Sequence, residues 1–183
     1  RIRRIGDDLG RLSAGLPVRV VFYGGTAIVA YVSDVAVAIE ASTGLTDRTI
    51  AHLPLERRGR IGHEKAAPLS YLIDRRRATL YLGHSRILSD SLRAYIPLVP
   101  LTYDSLTAMV LTWDPALMAE MQRRGARVDD FTAELDRVIA DLPRLPDDFV
   151  AEVYIKAKRF YFDGVRDPAR EAPFIARLGR PRS

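Results

Sequence analysis

The chain has no cysteine, which excludes a disulfide framework, a thiolate metal site and a cysteine nucleophile. Lysine is scarce, three residues against 25 arginines, a skew that reads as the coding bias of a GC-rich genome and carries no functional weight. Long apolar runs are also missing: Asp34 and Glu40 interrupt the longest candidate, so no stretch reaches the roughly 18 to 20 residues that a membrane-spanning helix needs. A Gly-x-Ser-x-Gly elbow and a helical His-x-x-x-His pair are absent, which argues against a serine hydrolase and against a zincin-type metal site. The chain starts at Arg1 without a basic, apolar and small-residue leader pattern, and the expectation is that a segment upstream has been removed.

What remains is an ordinary globular composition. Hydrophobic residues make up 48% and charged residues 28% of 183, which excludes disorder, collagen and coiled coil and gives a chain long enough to bury a real core. The net charge of +5 is unevenly placed: residues 1–4 carry +3 and residues 170–183 another +3, leaving −1 for everything between. A nucleic-acid-binding domain concentrates its basic residues on one face with aromatics between them, so the division argues against such a partner. It suits basic ends that are solvated or lie near an anionic membrane surface.

Val18 to Gly24 is a β-branched and aromatic run, Thr26 to Tyr31 has helical character, and Val35 to Ala41 is a second apolar run. A third strand is expected at Ala78 to Gly83. Leu98 to Tyr103 and Leu106 to Trp113 read as strands joined at Asp104-Ser105, and Ile87, Leu88, Leu92, Tyr95 and Ile96 suggest a helix between. Asp114-Pro115 is a helix start and Gly125 its stop. Phe131, Leu135, Val138, Ile139 and Leu142 repeat at the spacing of one buried face, and a further helix after Asp148 carries Phe149, Val153, Ile155, Phe160 and Phe162. Strands alternating with helices predict an α/β fold, a three-layer domain with a mainly parallel sheet and a helical C-terminal third. No repeat or low-complexity linker divides it, so residues 1–183 read as one domain, with a strand-rich part at 18–113 and a helical part at 114–178.

Two stretches bear on chemistry. Gly24-Gly25-Thr26-Ala27 follows a strand and opens a helix, but the glycine spacing does not fit the dinucleotide fingerprint. It also resembles the nucleotidyltransferase-like toxins, whose paired metal-holding carboxylates this chain lacks on its next strand. Glycines that let a helix pack on a strand are the simpler reading. The richer stretch runs Glu40-Ala-Ser-Thr-Gly-Leu-Thr-Asp47, then Ile50-Ala-His52, then Gly62-His63-Glu64-Lys65 and Ser70-Tyr71-Leu72. It leaves the end of the second strand, where open α/β sheets bind ligands. Its mixed hydrogen-bonding side chains suit a sugar or a phosphate. The structural alternative is an ordered loop in which Asp47 caps a helix and His63, Glu64 and Lys65 bond internally. His52, His63, Glu64 and His84 do not have metal-ligand spacing, and no metal or cofactor is expected.

The order of an acidic strand end, Gly-Leu-Thr-Asp-x-x-Ile-Ala-His, Gly-His-Glu-Lys and a Tyr-Leu helix before Arg75-Arg76-Arg77 resembles the C-terminal extracytoplasmic part of bacterial GT-C membrane glycosyltransferases. These include the arabinosyl- and mannosyltransferase-like enzymes of actinobacteria. The likeness covers roughly residues 18 to 85, with a weaker echo at Phe160 to Asp163 and Asp167 to Glu171; the family often has aspartate where Glu40 stands. It implies an accessory domain outside the cytoplasmic membrane that binds or positions a lipid-linked sugar or a growing cell-wall glycan. The isolated domain would have no catalytic residue of its own, because the family's catalytic base lies between membrane helices. Asp47, His52, His63, Glu64, Lys65 and Tyr71 are the ligand-binding residues expected on this reading, with Asp47→Ala and His63→Ala leaving thermal stability nearly unchanged. Tyr23, Tyr31, Tyr71, Tyr81 and Trp113 are candidate stacking surfaces. The alternatives are a free-standing nucleotide- or sugar-phosphate-binding enzyme using Gly24 and Gly25, or an interaction module with no small-molecule site.

Overall fold

The computed structural model describes residues 1–22, 27–44, 46–55, 65–83 and 93–179. It is an α/β fold built on one six-stranded sheet in the order β2-β1-β3-β5-β4-β6. Strands β1 (Arg19–Phe22), β2 (Val37–Glu40) and β3 (Leu80–Leu82) run parallel, with β1 in the middle. β1 buries Val20, Val21 and Phe22 in succession, as a strand covered on both faces must. The other half is antiparallel: β4 (Val99–Tyr103) and β5 (Leu106–Val110) form the expected hairpin, and a two-residue β6 (Arg127–Val128) completes the edge. Asp104 takes the hairpin turn with φ 48°, a left-handed conformation that aspartate tolerates better than most residues.

Residues 1–4, read from the sequence as a basic tail, instead open helix α1 (Ile2–Ser13). Its apolar content is low, but Gly6 and Gly10 let it lie against α2 (Ala27–Ser33). A Cβ at Gly6 would stand 2.8 Å from Val32 Cβ, and one at Gly10 2.9 Å from the Ser33 carbonyl oxygen. Buried Asp8 fastens α1 to the hairpin, accepting from the Ser105 amide at 2.8 Å and from Arg11 at 2.5 Å. Arg124 reaches back to the carbonyls of Leu12 and Ala14 at 3.0 and 2.7 Å, satisfying groups that the helix end leaves open.

The C-terminal third is helical. α4 (Pro115–Arg123), α5 (Phe131–Asp141) and α7 (Pro168–Leu178) each start at an aspartate, Asp114, Asp130 and Asp167, whose carboxylate accepts from first-turn amides. The expected helix after Asp148 divides into α6 (Asp147–Ala157) and a π-helical turn, Lys158–Phe162. Phe160 and Phe162 belong to the turn and are buried, whereas Phe149 and Ile155 of α6 are exposed. Phe160 packs edge-on against Phe131 at 4.7 Å between centroids, and Trp113 lies 6.1 Å from Phe160, joining sheet and helices. Arg170 and Arg177, also counted as tail charge, are held by Asp136, Asp167 and Asp147. The expected helix over residues 87–96 falls mostly outside the described residues.

Candidate functional site

The strand order places a topological switch between β1 and β3: from β1 the chain moves outward to β2, then crosses back to β3 on the other side. In open α/β sheets ligands bind beyond the carboxyl ends of strands at such a point. Residues 23–26 and 84–92, which follow β1 and β3 there, lie outside the described residues, and Gly24, Gly25, Tyr23 and His84 are among them.

The segment leaving β2 is closed at its base. Lys65 N–H donates to the Ser42 carbonyl at 3.3 Å and Ala67 N–H to the Ala41 carbonyl at 2.8 Å. Glu40, ending β2, organises the first turn. Its carboxylate accepts from the Ser42 and Thr43 amides at 2.7 and 2.9 Å and from their hydroxyls at 2.6 and 2.5 Å. Burial alone would raise the Glu40 pKa, but these four donors outweigh it and hold the carboxyl below its usual range.

Asp47 is the centre of the excursion. It caps the four-residue helix α3 (Arg48–Ala51), accepting from Thr49 N at 2.9 Å and Ile50 N at 3.1 Å. The Tyr71 hydroxyl bonds both carboxylate oxygens at 3.0 and 2.9 Å, and Arg76 forms an ion pair with Oδ2. Tyr71 and Arg76 belong to the π-helical turn Tyr71–Arg75 and its end. Desolvation pushes the Asp47 pKa up. The Ile50 amide, Tyr71, the Arg76 charge and the Thr49 amide more than offset it, so the carboxyl stays ionised below its ordinary value.

The other end of α3 is held by the Lys65 ammonium, which donates to the Ala51 carbonyl. There, too, His52 is exposed and its Nδ1 lies 2.6 Å from the Arg48 carbonyl oxygen. Since a carbonyl oxygen only accepts, Nδ1 is the donor in that contact. Four of the six expected residues, Asp47, His52, Lys65 and Tyr71, therefore gather around one short helix. His63 and Glu64 lie outside the described residues.

The roles differ from those expected. Tyr71 is bonded to Asp47, and Asp47 also to the Thr49 and Ile50 amides, so they build the loop, and Asp47→Ala is expected to cost stability, not to be silent. Exposed Thr46, Arg48, Thr49 and His52 are the polar side chains that α3 and its approach present outward. Sequence reasoning missed Arg76, although the Arg75-Arg76-Arg77 run after a helix was the signal. Among the stacking candidates, Tyr81 and Trp113 are buried and Tyr31 is 88% exposed.

A separate cavity of about 470 Å³, lined by Ile96, Leu98, Phe131, Leu135, Val138 and Val153 with others, holds none of the expected residues. Among the described residues no group of His, Asp and Glu is placed to hold a metal ion, and no helix is long and apolar enough to cross a membrane. Fold and site together define an α/β domain with a pinned polar loop beyond its parallel strands. No family model, no curated protein and no solved structure matches the chain.

Proposed function

We propose that this is an extracytoplasmic accessory domain of a membrane glycosyltransferase, which binds a lipid-linked sugar or glycan and does not itself catalyse transfer. The observation that carries the reading is the pinned excursion from β2. Asp47, Tyr71, Arg76 and Lys65 fix a four-residue helix at both ends, and exposed Thr46, Arg48, Thr49 and His52 occupy its outer side. Hydroxyl, imidazole and guanidinium groups on a fixed backbone suit the hydroxyls of a sugar, because little ordering remains to oppose binding.

The paired helices α1 and α2 support the membrane half of the reading. Arg1, Arg3, Arg4 and Ile2 are exposed at the start of α1, and Ile28 and Tyr31 are exposed on α2. Cations next to exposed aliphatic and aromatic side chains are the composition that lies at a headgroup boundary.

Vesicles carrying a polyprenyl-phosphate-linked sugar test this directly. The chain is expected to float with them more strongly than with vesicles of equal anionic charge lacking the sugar, and His52→Ala is expected to remove the difference. Equal flotation with both kinds of vesicle contradicts sugar recognition.

A further inference from the structure

A second polar cavity lies at the opposite edge of the parallel strands, where β1 and β3 begin and β5 ends. It has a volume of about 310 Å³, the lower end of the range for small-molecule sites. Arg19, the first residue of β1, lines it together with Arg77 and Arg159. These three cations face a single lining carboxylate, Asp114, which is already the cap of α4 through the Leu117 amide at 3.1 Å.

Two polar lining side chains, Trp113 and Thr79, are more than nine-tenths buried. Trp113 is 4% exposed, and its Nε1–H has no hydrogen-bond partner among the described residues. Thr79 is 6% exposed, and its Oγ1 accepts from the Arg19 amide at 3.4 Å.

Arg19 and Arg77 are only lightly engaged by the other described residues. Arg77 makes one long contact, 3.5 Å to the Asp163 carbonyl, and its backbone is left-handed at φ 51°. Arg19 donates to the Arg76 carbonyl at 3.2 Å. Arg159 is the most constrained, with Asp74 at 3.3 Å and the Tyr95 ring at 4.9 Å. Asp114, one carboxylate already engaged as a cap, does not balance the charge of three guanidinium groups. A phosphate monoester dianion presents three terminal oxygens, and arginine binds them in pairs.

We propose that this cavity binds the phosphate group of a small, soluble phosphate monoester. The site uses none of the residues assigned to sugar binding, so it stands or falls independently of that reading.

The full chain is titrated with glucose 1-phosphate. Binding is followed by the fluorescence of Trp113, the one tryptophan of the chain, and by broadening of the ligand's phosphorus resonance. Both signals are expected to saturate at one dissociation constant, glucose to give neither, and inorganic phosphate to compete. Arg77→Gln is expected to weaken binding about tenfold or more, the loss of a charge-assisted hydrogen bond, without moving the melting curve. Arg19→Gln serves as a second variant should Arg77→Gln fail to fold. The proposal is overturned by no saturation in either signal, by failure of inorganic phosphate to compete, or by unchanged affinity in whichever of these variants folds.

Discussion

Asp47 has no acceptor capacity to spare: two amides, a phenol and a guanidinium already use its oxygens. Removing the carboxylate uncaps α3 and leaves Tyr71 and Arg76 facing a gap. Asp47→Ala is therefore expected to cost about 2 kcal/mol or more, read as a lowered midpoint in urea unfolding. His52→Ala, at an exposed position with one local contact, is expected to change that midpoint by less than about 0.5 kcal/mol. Gly44 is equally constrained: it has φ 75°, and a Cβ there would lie 2.6 Å from the Ala51 amide nitrogen. Gly44→Ala is expected to destabilise by about 2 kcal/mol or more, checked by the same unfolding curve.

Acid has a defined effect on this network. The folded state holds the Asp47 and Glu40 carboxyls below their ordinary values, so their ionised forms stabilise it fully only above about pH 5. That contribution is lost as pH falls from about 5 through the folded values, because protonation then weakens the hydrogen bonds that favour the charged form. Melting temperature is expected to drop through this window, and Asp47→Asn to make the drop shallower. A variant with the same slope as the native chain would contradict the assignment.

At the scale of elements, what was legible in the sequence is what has a period or a punctuation mark. The apolar runs gave β1, β2 and β3, and Asp104-Ser105 marked the hairpin. Asp114-Pro115 located α4, and the repeat from Phe131 to Leu142 located α5. Helix α1 was not legible, because it packs through Gly6 and Gly10, where side chains are absent, and through Asp8, a buried charge. Hydrophobic periodicity detects neither. The turns at 71–75 and 158–162 were legible as helix but not as π-helix, since their extra residue shifts the 3.6-residue pattern. Gly6→Val is expected to force α1 off α2, lowering the melting temperature by several degrees and raising the amide exchange of α1 first, as in a local opening. Uniform exchange along the chain would show that α1 has no stability of its own.

Across the whole molecule, polar features are divided by strand polarity. The pinned loop of α3 belongs to the carboxyl side of β2, while the arginine-lined cavity belongs to the amino side of β1 and β3. The position of the loop was legible, because a polar, glycine-bearing stretch after an apolar strand has few other places to go. The cavity was not, because Arg19, Thr79, Thr112 and Arg159 are brought together only by pairing of β1, β3 and β5 and by the turn at 158–162. The basic ends, taken from the sequence as tails, are structural over most of their length, and α1 carries its arginines on a helix packed into the fold.

The central claim is that this domain works beside a membrane as part of a larger glycosyltransferase. An antibody raised against it and applied to membrane and soluble fractions of the source cells tests that claim most directly. The account predicts a band in the membrane fraction well above 20.5 kDa. A soluble band near 20.5 kDa would contradict it and leave the phosphate-binding cavity as the chemistry to pursue.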